Sequence, residues 1–167
     1  MPCMNTGMIW QTNSTDSDDT ERLGESLGKL LEGGEVIELR SDLGGGKTTF
    51  VRGLVRGSGS SDNVASPTFT LNRQYQTGKF TISHFDFYRL QEPGIIADQL
   101  AEAIDNGDVV VVEWAGIIDD VLPEDRLSIE FAPVAAGPDE RLISIHYPEP
   151  MTGLIKKLSS DWQVSEP

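Results

Sequence analysis

The run Gly44-Gly45-Gly46-Lys47-Thr48-Thr49 constrains this chain more than any other feature in it. It follows closely on Glu35-Val36-Ile37-Glu38-Leu39, which reads as a strand. It also opens a helix from Lys47 to about Arg56, with Phe50, Val51, Leu54 and Val55 on the inner face. Strand, glycine-rich turn, Lys-Thr and helix is the arrangement of a phosphate-binding loop, or P-loop. Glycines let the backbone bend until successive N–H groups point into a concavity the size of a phosphate. The helix behind adds the positive end of its dipole. The candidate phosphate contacts are therefore Asp42, Leu43, Gly44, Gly45, Gly46, Lys47, Thr48 and Thr49. Lys47 can reach the β- and γ-phosphates, and the Thr48 hydroxyl can ligate Mg²⁺. The strict motif, G-x-x-x-x-G-K-[ST], has glycine where this chain has Ser41. A serine is tolerated there if its φ stays negative, and its hydroxyl can bond locally within the turn.

The rest of the chain alternates strands and helices. Met8–Thr12 reads as a short strand, and a helix follows from about Asp18 to Leu31, with Leu23, Leu27, Leu30 and Leu31 on one face. Asp16 or Ser17 can cap it, and Gly33-Gly34 ends it. Thr68–Gln76 and Phe80–Tyr88 form a hairpin around Thr77-Gly78-Lys79. A helix from Pro93 to about Asp105 precedes the strand Asp108–Glu113, and Arg126–Phe131 and Arg141–His146 close the pattern around Pro133–Pro138. A short helix is expected after Pro148. The expected fold is an α/β P-loop NTPase fold, three layers around a central mixed β-sheet with a β-hairpin. Residues 8–147 are expected to form a single P-loop ATPase domain, with 1–7 and 148–167 as terminal extensions.

Two acids stand where strands end: Asp86, in His84-Phe85-Asp86-Phe87-Tyr88-Arg89, and Glu113, after Val109–Val112. A P-loop NTPase needs a second anchor for Mg²⁺ and a group that positions the attacking water. An apolar strand ending in an acid is the Walker-B form, so Asp86 and Glu113 are the candidate catalytic residues and, with Thr48, the candidate Mg²⁺ ligands. The plain alternative is that each acid meets water where its strand leaves the core. Ser66-Pro67-Thr68 sits where many P-loop enzymes sense the γ-phosphate, and is equally well an ordinary strand entry. Trp114 is either a wall of the site or packing, the commoner role. His84 is expected to be a structural histidine with its hydrogen bonds satisfied.

Charge narrows the partners. The 167 residues carry 13 Lys+Arg against 27 Asp+Glu, a net −14. Such a surface repels phosphate backbones and anionic lipid, so direct binding to nucleic acid or membrane is disfavoured. A single cysteine, Cys3, can form neither an internal disulfide nor a cysteine metal cage, and His84 and His146 lie in separate segments. The start Met-Pro-Cys-Met-Asn-Thr-Gly has neither the basic nor the apolar region of a secretory signal, which makes a cytoplasmic protein the expectation.

Ser41–Leu54, Ser-Pro-Thr-Phe-Thr-Leu at 66–71, His-Phe-Asp-Phe-Tyr-Arg-Leu at 84–90 and Val-Val-Glu-Trp at 111–114 occur in the order and spacing of one family. The chain resembles the bacterial TsaE (YjeE) family, the P-loop ATPase of tRNA threonylcarbamoyladenosine biosynthesis. The likeness spans about Met8 to His146. It implies ATP and Mg²⁺ as cofactors, TsaB and TsaD as protein partners, and contact with ANN-decoding tRNA only indirectly through that complex. It also implies slow hydrolysis by the chain alone, phosphate held by Gly44 to Thr48, and Mg²⁺ held by Thr48 and Glu113. Asp86 would serve in metal binding or water activation, and adenine-side contacts would fall near Asp16-Ser17-Asp18. Two positions depart from the family pattern: Ser41, and the stretch 91–107, which has Glu92-Pro93-Gly94-Ile95-Ile96 in place of a Gly-Leu-Glu-Glu-Tyr-like run.

Three other outputs fit a P-loop. A small-molecule or nucleotide kinase would use the same loop, with Arg52, Arg56, Arg73 and Arg89 available to the transferring phosphate. A GTPase switch is disfavoured because the chain has no Asn-Lys-x-Asp element. A regulatory subunit would bind ATP without hydrolysing it.

Overall fold

Val109–Val112 is a run of four β-branched residues without polar alternation, stable only where both faces of its sheet are covered. The computed structural model, which describes residues 7–41, 45–65, 71–88 and 94–162, shows both covers. Its strands are β1 (Met8–Ser14), β2 (Val36–Arg40), β3 (Asn72–Gln76), β4 (Thr81–Asp86), β5 (Val109–Glu113), β6 (Leu127–Val134) and β7 (Gly137–Tyr147). Its helices are α1 (Ser17–Gly28), α2 (Lys47–Gly57), α3 (Gly94–Asp105) and α4 (Thr152–Asp161). The strands make one mixed sheet in the order β1-β7-β6-β2-β5-β4-β3. β5 lies parallel to β2 and β4, and β2 parallel to β6, while β3–β4, β6–β7 and β1–β7 are antiparallel.

Alternate residues of the central strands feed two cores. Ile37, Leu39, Val109 and Val111 pack with α1, α2 and α4, whose contributions include Leu23, Phe50, Ile155 and Leu158. Val36, Val110 and Val112 pack on the other face with Leu100 and Ala103 of α3 and with Ala115 and Ile118 of a 3₁₀ segment, Ala115–Val121. This is the expected three-layer α/β architecture. No helix among the described residues is long and apolar enough to cross a membrane.

Boundaries differ from the sequence expectation in instructive places. α1 stops at Gly28 rather than Leu31; Leu31 is still buried, but in a turn. Glu35 draws the chain round there, its carboxylate accepting the backbone N–H groups of Glu32 and Gly33. β6 and β7 extend through the expected Pro133–Pro138 loop. β6 pairs with β2 only as far as Glu130, so the missing N–H of Pro133 falls beyond the part of β6 that β2 borders. The 3₁₀ segment was not expected. Of the β3 expectation, residues 68–70 lie outside those described, and the strand begins at Asn72, after Leu71 with φ 64°.

α1 and α2 touch backbone to backbone. Gly24 and Gly28 on one helix, Gly53 and Gly57 on the other, are each four residues apart and so share a helix face. A Cβ built at Gly53 would lie 1.9 Å from the Glu21 carbonyl oxygen, and one at Gly24 2.2 Å from that of Phe50. No side chain fits there, and the obstruction is main chain that cannot rotate away. At the exposed edge of the same contact, Arg56 pairs with Glu21 and Glu25.

A second tie crosses the sheet. Glu38 of β2 is buried, and its carboxylate accepts from Arg40 Nε (2.8 Å), Arg126 Nε (3.0 Å) and the Ser128 hydroxyl (3.2 Å). Burial alone would push its pKa up, but the two guanidiniums outweigh that and hold it below the ordinary 4.5.

Gly53→Ala should cost about 3 kcal/mol or more in chemical denaturation, at the upper end of overpacking effects. Gly153→Ala in α4, where a Cβ meets nothing within 4 Å, should be neutral or stabilising by up to about 1 kcal/mol. Because the folded pKa of Glu38 is depressed, its stabilisation is complete above the unfolded value and is lost as pH falls through the folded one. Glu38→Gln should therefore flatten the fall of melting temperature below about pH 4.5, visible in melts from pH 7 down to pH 3.

Candidate functional site

α1 and α2 begin differently. At α1 the Asp16 side chain accepts the Asp19 N–H at 2.9 Å and caps the helix. At α2 the capping position is Gly46, φ 103°, which offers no side chain, and the first turn holds no acid. The leading amides of an α-helix have no intrahelical partners. At α2 they carry the positive end of the dipole with no carboxylate nearby on the helix to offset it, which suits an anion. Gly46 also needs to be glycine, since few other residues adopt this left-handed backbone.

Lys47 is largely buried. Its Nζ donates to the Ser41 carbonyl oxygen (3.0 Å) and to Ser41 Oγ (3.1 Å), and lies 4.8 Å from the centroid of the Trp114 ring. Ser41, the departure from the motif, thus holds the lysine from the far side of the loop. Among the described non-glycine residues only Leu71 and Trp114 have positive φ, so Ser41 carries no such strain. Thr48 and Thr49 are half-buried in the first turn of α2, and Gly45 precedes Gly46. Asp42, Leu43 and Gly44 lie outside the described residues, as do Ser66-Pro67-Thr68 and Arg89.

Sheet register brings the two acids together. In the parallel ladder Leu39, Glu113 and Asp86 stand at one level on β2, β5 and β4. Leu39 and Val111 belong to the core under α2, so Glu113, two residues after Val111, projects to that same face, and its register partner Asp86 does likewise. Both are almost fully buried. The turns beyond them are pinned: Phe87 N–H donates to the Glu113 carbonyl oxygen, and Tyr88 N–H to Asp86 Oδ1 at 2.9 Å.

Three features were not legible in the motifs. Trp114 is at φ 58°, rare for a bulky residue, and packs on Tyr88 (centroids 4.8 Å apart) as well as facing Lys47. It is therefore a wall of the loop as well as a packing residue. His84 is fully buried with Nε2 3.3 Å from Glu113 Oε2, yet neither ring nitrogen has a hydrogen bond among the described residues. The expected satisfied histidine is thus buried, and among the described residues it has no hydrogen-bond partner. A cavity of about 410 Å³, lined by Glu38, Arg40, Ser41, Trp114, Gly116 and Asp119, adjoins the loop through Ser41 and Trp114. Asp16 and Asp18, the expected adenine-side positions, stand at the start of α1. That end of α1 neighbours the loop, since a Cβ at Gly46 would lie 3.6 Å from Thr20 Cγ2.

Comparison with known proteins bears on the family and the fold. The family described as threonylcarbamoyl adenosine biosynthesis protein TsaE matches residues 14–142. The tRNA threonylcarbamoyladenosine biosynthesis protein TsaE of Bacillus subtilis is 36% identical over 135 residues, covering 81% of this chain and 82% of that protein. The protein of the same name from Treponema pallidum is 39% identical over 125 residues, 74% of this chain and 92% of its own length. The crystal structure of Bacillus subtilis YdiB superposes with a TM-score of 0.77 at 30% identity, covering 93% of this chain and 97% of that one. The fold is that of the P-loop NTPases, a nucleotide-binding class, and the chain belongs to the TsaE family.

Proposed function

We propose that this protein is the ATP-binding and ATP-hydrolysing subunit of tRNA threonylcarbamoyladenosine biosynthesis, a cytoplasmic Mg²⁺-dependent ATPase acting on a TsaB–TsaD complex. The observation that carries the reading is the level pairing of Asp86 and Glu113 on the sheet face that bears the first turn of α2. Two carboxylates and a threonine hydroxyl are hard-oxygen donors of the kind that suit Mg²⁺, and a helix start without acids suits the triphosphate that accompanies it.

In this reading the loop from Asp42 to Thr49 binds the phosphates, chiefly through backbone N–H groups. Lys47 moves its charge from Ser41 to the phosphate oxygens as ATP binds, and Trp114 limits how far it can swing. Thr48, Asp86 and Glu113 are the residues that would hold Mg²⁺, which supplies charge neutralisation at the β- and γ-phosphates when bound. Asp86 or Glu113 also orients the attacking water. The charge of −14 supports tRNA contact only through the partners.

Lys47→Ala should weaken ATP binding at least about a hundredfold (roughly 2.7 kcal/mol) by calorimetry, in a variant that still folds. Unaltered affinity in a folded variant would remove the loop from the mechanism. Glu113→Gln and Asp86→Asn should keep nucleotide affinity within about tenfold at saturating Mg²⁺, yet slow phosphate release about a hundredfold or more with partners present. Either variant hydrolysing at the wild-type rate would reassign that residue. Phosphate transfer to an added acceptor in place of water would point to a kinase.

A further inference from the structure

His84 is a buried ionisable side chain 3.3 Å from Glu113 that the proposed mechanism leaves unused. It lies on β4, two residues before Asp86, in register with Val111 of β5, two residues before Glu113. Its ring therefore sits on the α2 face, diagonal to Glu113, with no exposure at all. Nε2 is 3.3 Å from Glu113 Oε2, within ion-pair distance but not aligned for a hydrogen bond.

Among the described residues the surroundings give the ring no other partner. A neutral imidazole brings one N–H donor and one acceptor, and buried polar atoms are nearly always paired. Among the described residues both nitrogens of His84 are unpaired. Tyr75, whose ring lies 6.4 Å away, spends its hydroxyl on the Ala65 carbonyl oxygen. Arg73, directly across from His84 on β3, is a donor only, and among the described residues its Nε is itself buried without a partner. The group that Nε2 approaches is the Glu113 carboxylate, and a small turn of either side chain would align them.

We propose that His84 is a positioning residue, its Nε2–H donating to Glu113 Oε2 in the nucleotide-bound protein and leaving Glu113 Oε1 for the divalent cation. This rests on the reading of Glu113 as a metal-side carboxylate. Outer partners of this kind fix the orientation of a ligating group, and losing one lowers metal affinity while the fold stays intact. Register explains why β4 can serve twice, since residues 84 and 86 share one face and reach Glu113 and the cation site from one strand.

The test is a Mg²⁺ titration of the full chain at a fixed concentration of a non-hydrolysable ATP analogue, followed by calorimetry, with thermal melts alongside. His84→Gln returns an amide N–H near the Nε2 position, His84→Asn places one near Nδ1, and His84→Leu has none. Leu and Asn should raise the Mg²⁺ concentration for half-maximal binding about tenfold or more, while Gln stays within about threefold of wild type. Analogue affinity in EDTA should change less than about threefold in all of them, because the P-loop contacts are untouched. Glu113→Gln should shift the Mg²⁺ requirement like His84→Leu, and the double variant should shift it no further. Equal shifts for Gln, Asn and Leu, or no shift in any, would overturn the proposal. If Leu does not fold, the Gln and Asn pair decides alone. A shift in Glu113→Gln with none at His84 sinks only this inference, whereas an unshifted Glu113→Gln also removes the metal role of Glu113.

Discussion

The backbone contact between α1 and α2 fixes where the start of α2 can be. Glycines at 24, 28, 53 and 57 let the helix axes approach until carbonyl oxygens occupy the space of missing side chains. The two helices bury Leu23, Leu27, Phe50 and Leu54 against the same face of the sheet. With α2 held this way, Gly46 comes to rest beside Thr20, whose hydroxyl is 2.7 Å from Ser14 Oγ. The phosphate loop is thus held from two directions, by β2 through the sheet and by α1 through the glycines.

The parallel ladder supplies the second half of the geometry. Strands in register act as a ruler, so Leu39, Glu113 and Asp86 reach the end of the sheet at one height without any loop having to aim them. The chain then leaves β5 abruptly, through Trp114 at φ 58°. A non-glycine residue there costs on the order of 1–3 kcal/mol and persists only when its surroundings over-determine it. Here the surroundings are Tyr88 from the end of β4 and Lys47 from α2, both against the indole. Backbone strain and the placement of the lysine are therefore linked through one side chain.

The loop, the alternation of strands and helices, and the two acids were legible because each is local. Lys47 follows its glycines directly, and Glu113 follows its valines. What stayed hidden depends on pairs far apart in the chain. Glu38 and Arg126 are separated by 88 residues and meet only once β2 and β6 lie side by side. The spacing of Gly24 and Gly28 is visible in the sequence, but it signals a helix contact only when read with Gly53 and Gly57. Helix periodicity extended α1 to Leu31, whereas Glu35 captures the turn and leaves Leu31 buried without helix. His84 was expected to be satisfied because buried histidines usually are. Only the register of β3, β4 and β5 shows it beside Glu113 with no other partner among the described residues.

The acidity of the chain and the proposed phosphate site are compatible because that site does not rely on a field of arginines. Arg22 pairs with Asp19, Arg52 and Arg56 with Glu21, Arg40 with Glu38, and Arg126 with Glu38 and Asp119. Each of these five guanidiniums is matched to a neighbouring carboxylate and projects little net positive charge. In the proposed reading what attracts an anion is short-range: backbone amides, a helix dipole and one lysine, effective within about a helical turn. An extended polyanion needs positive potential over many ångströms, and at a net −14 the outer surface provides the opposite. A nucleotide already inside the loop feels the amides first, whereas a nucleic-acid backbone approaching from outside feels the net charge. This contrast supports the proposed reading, in which the loop takes a triphosphate and contact with tRNA is left to partner proteins.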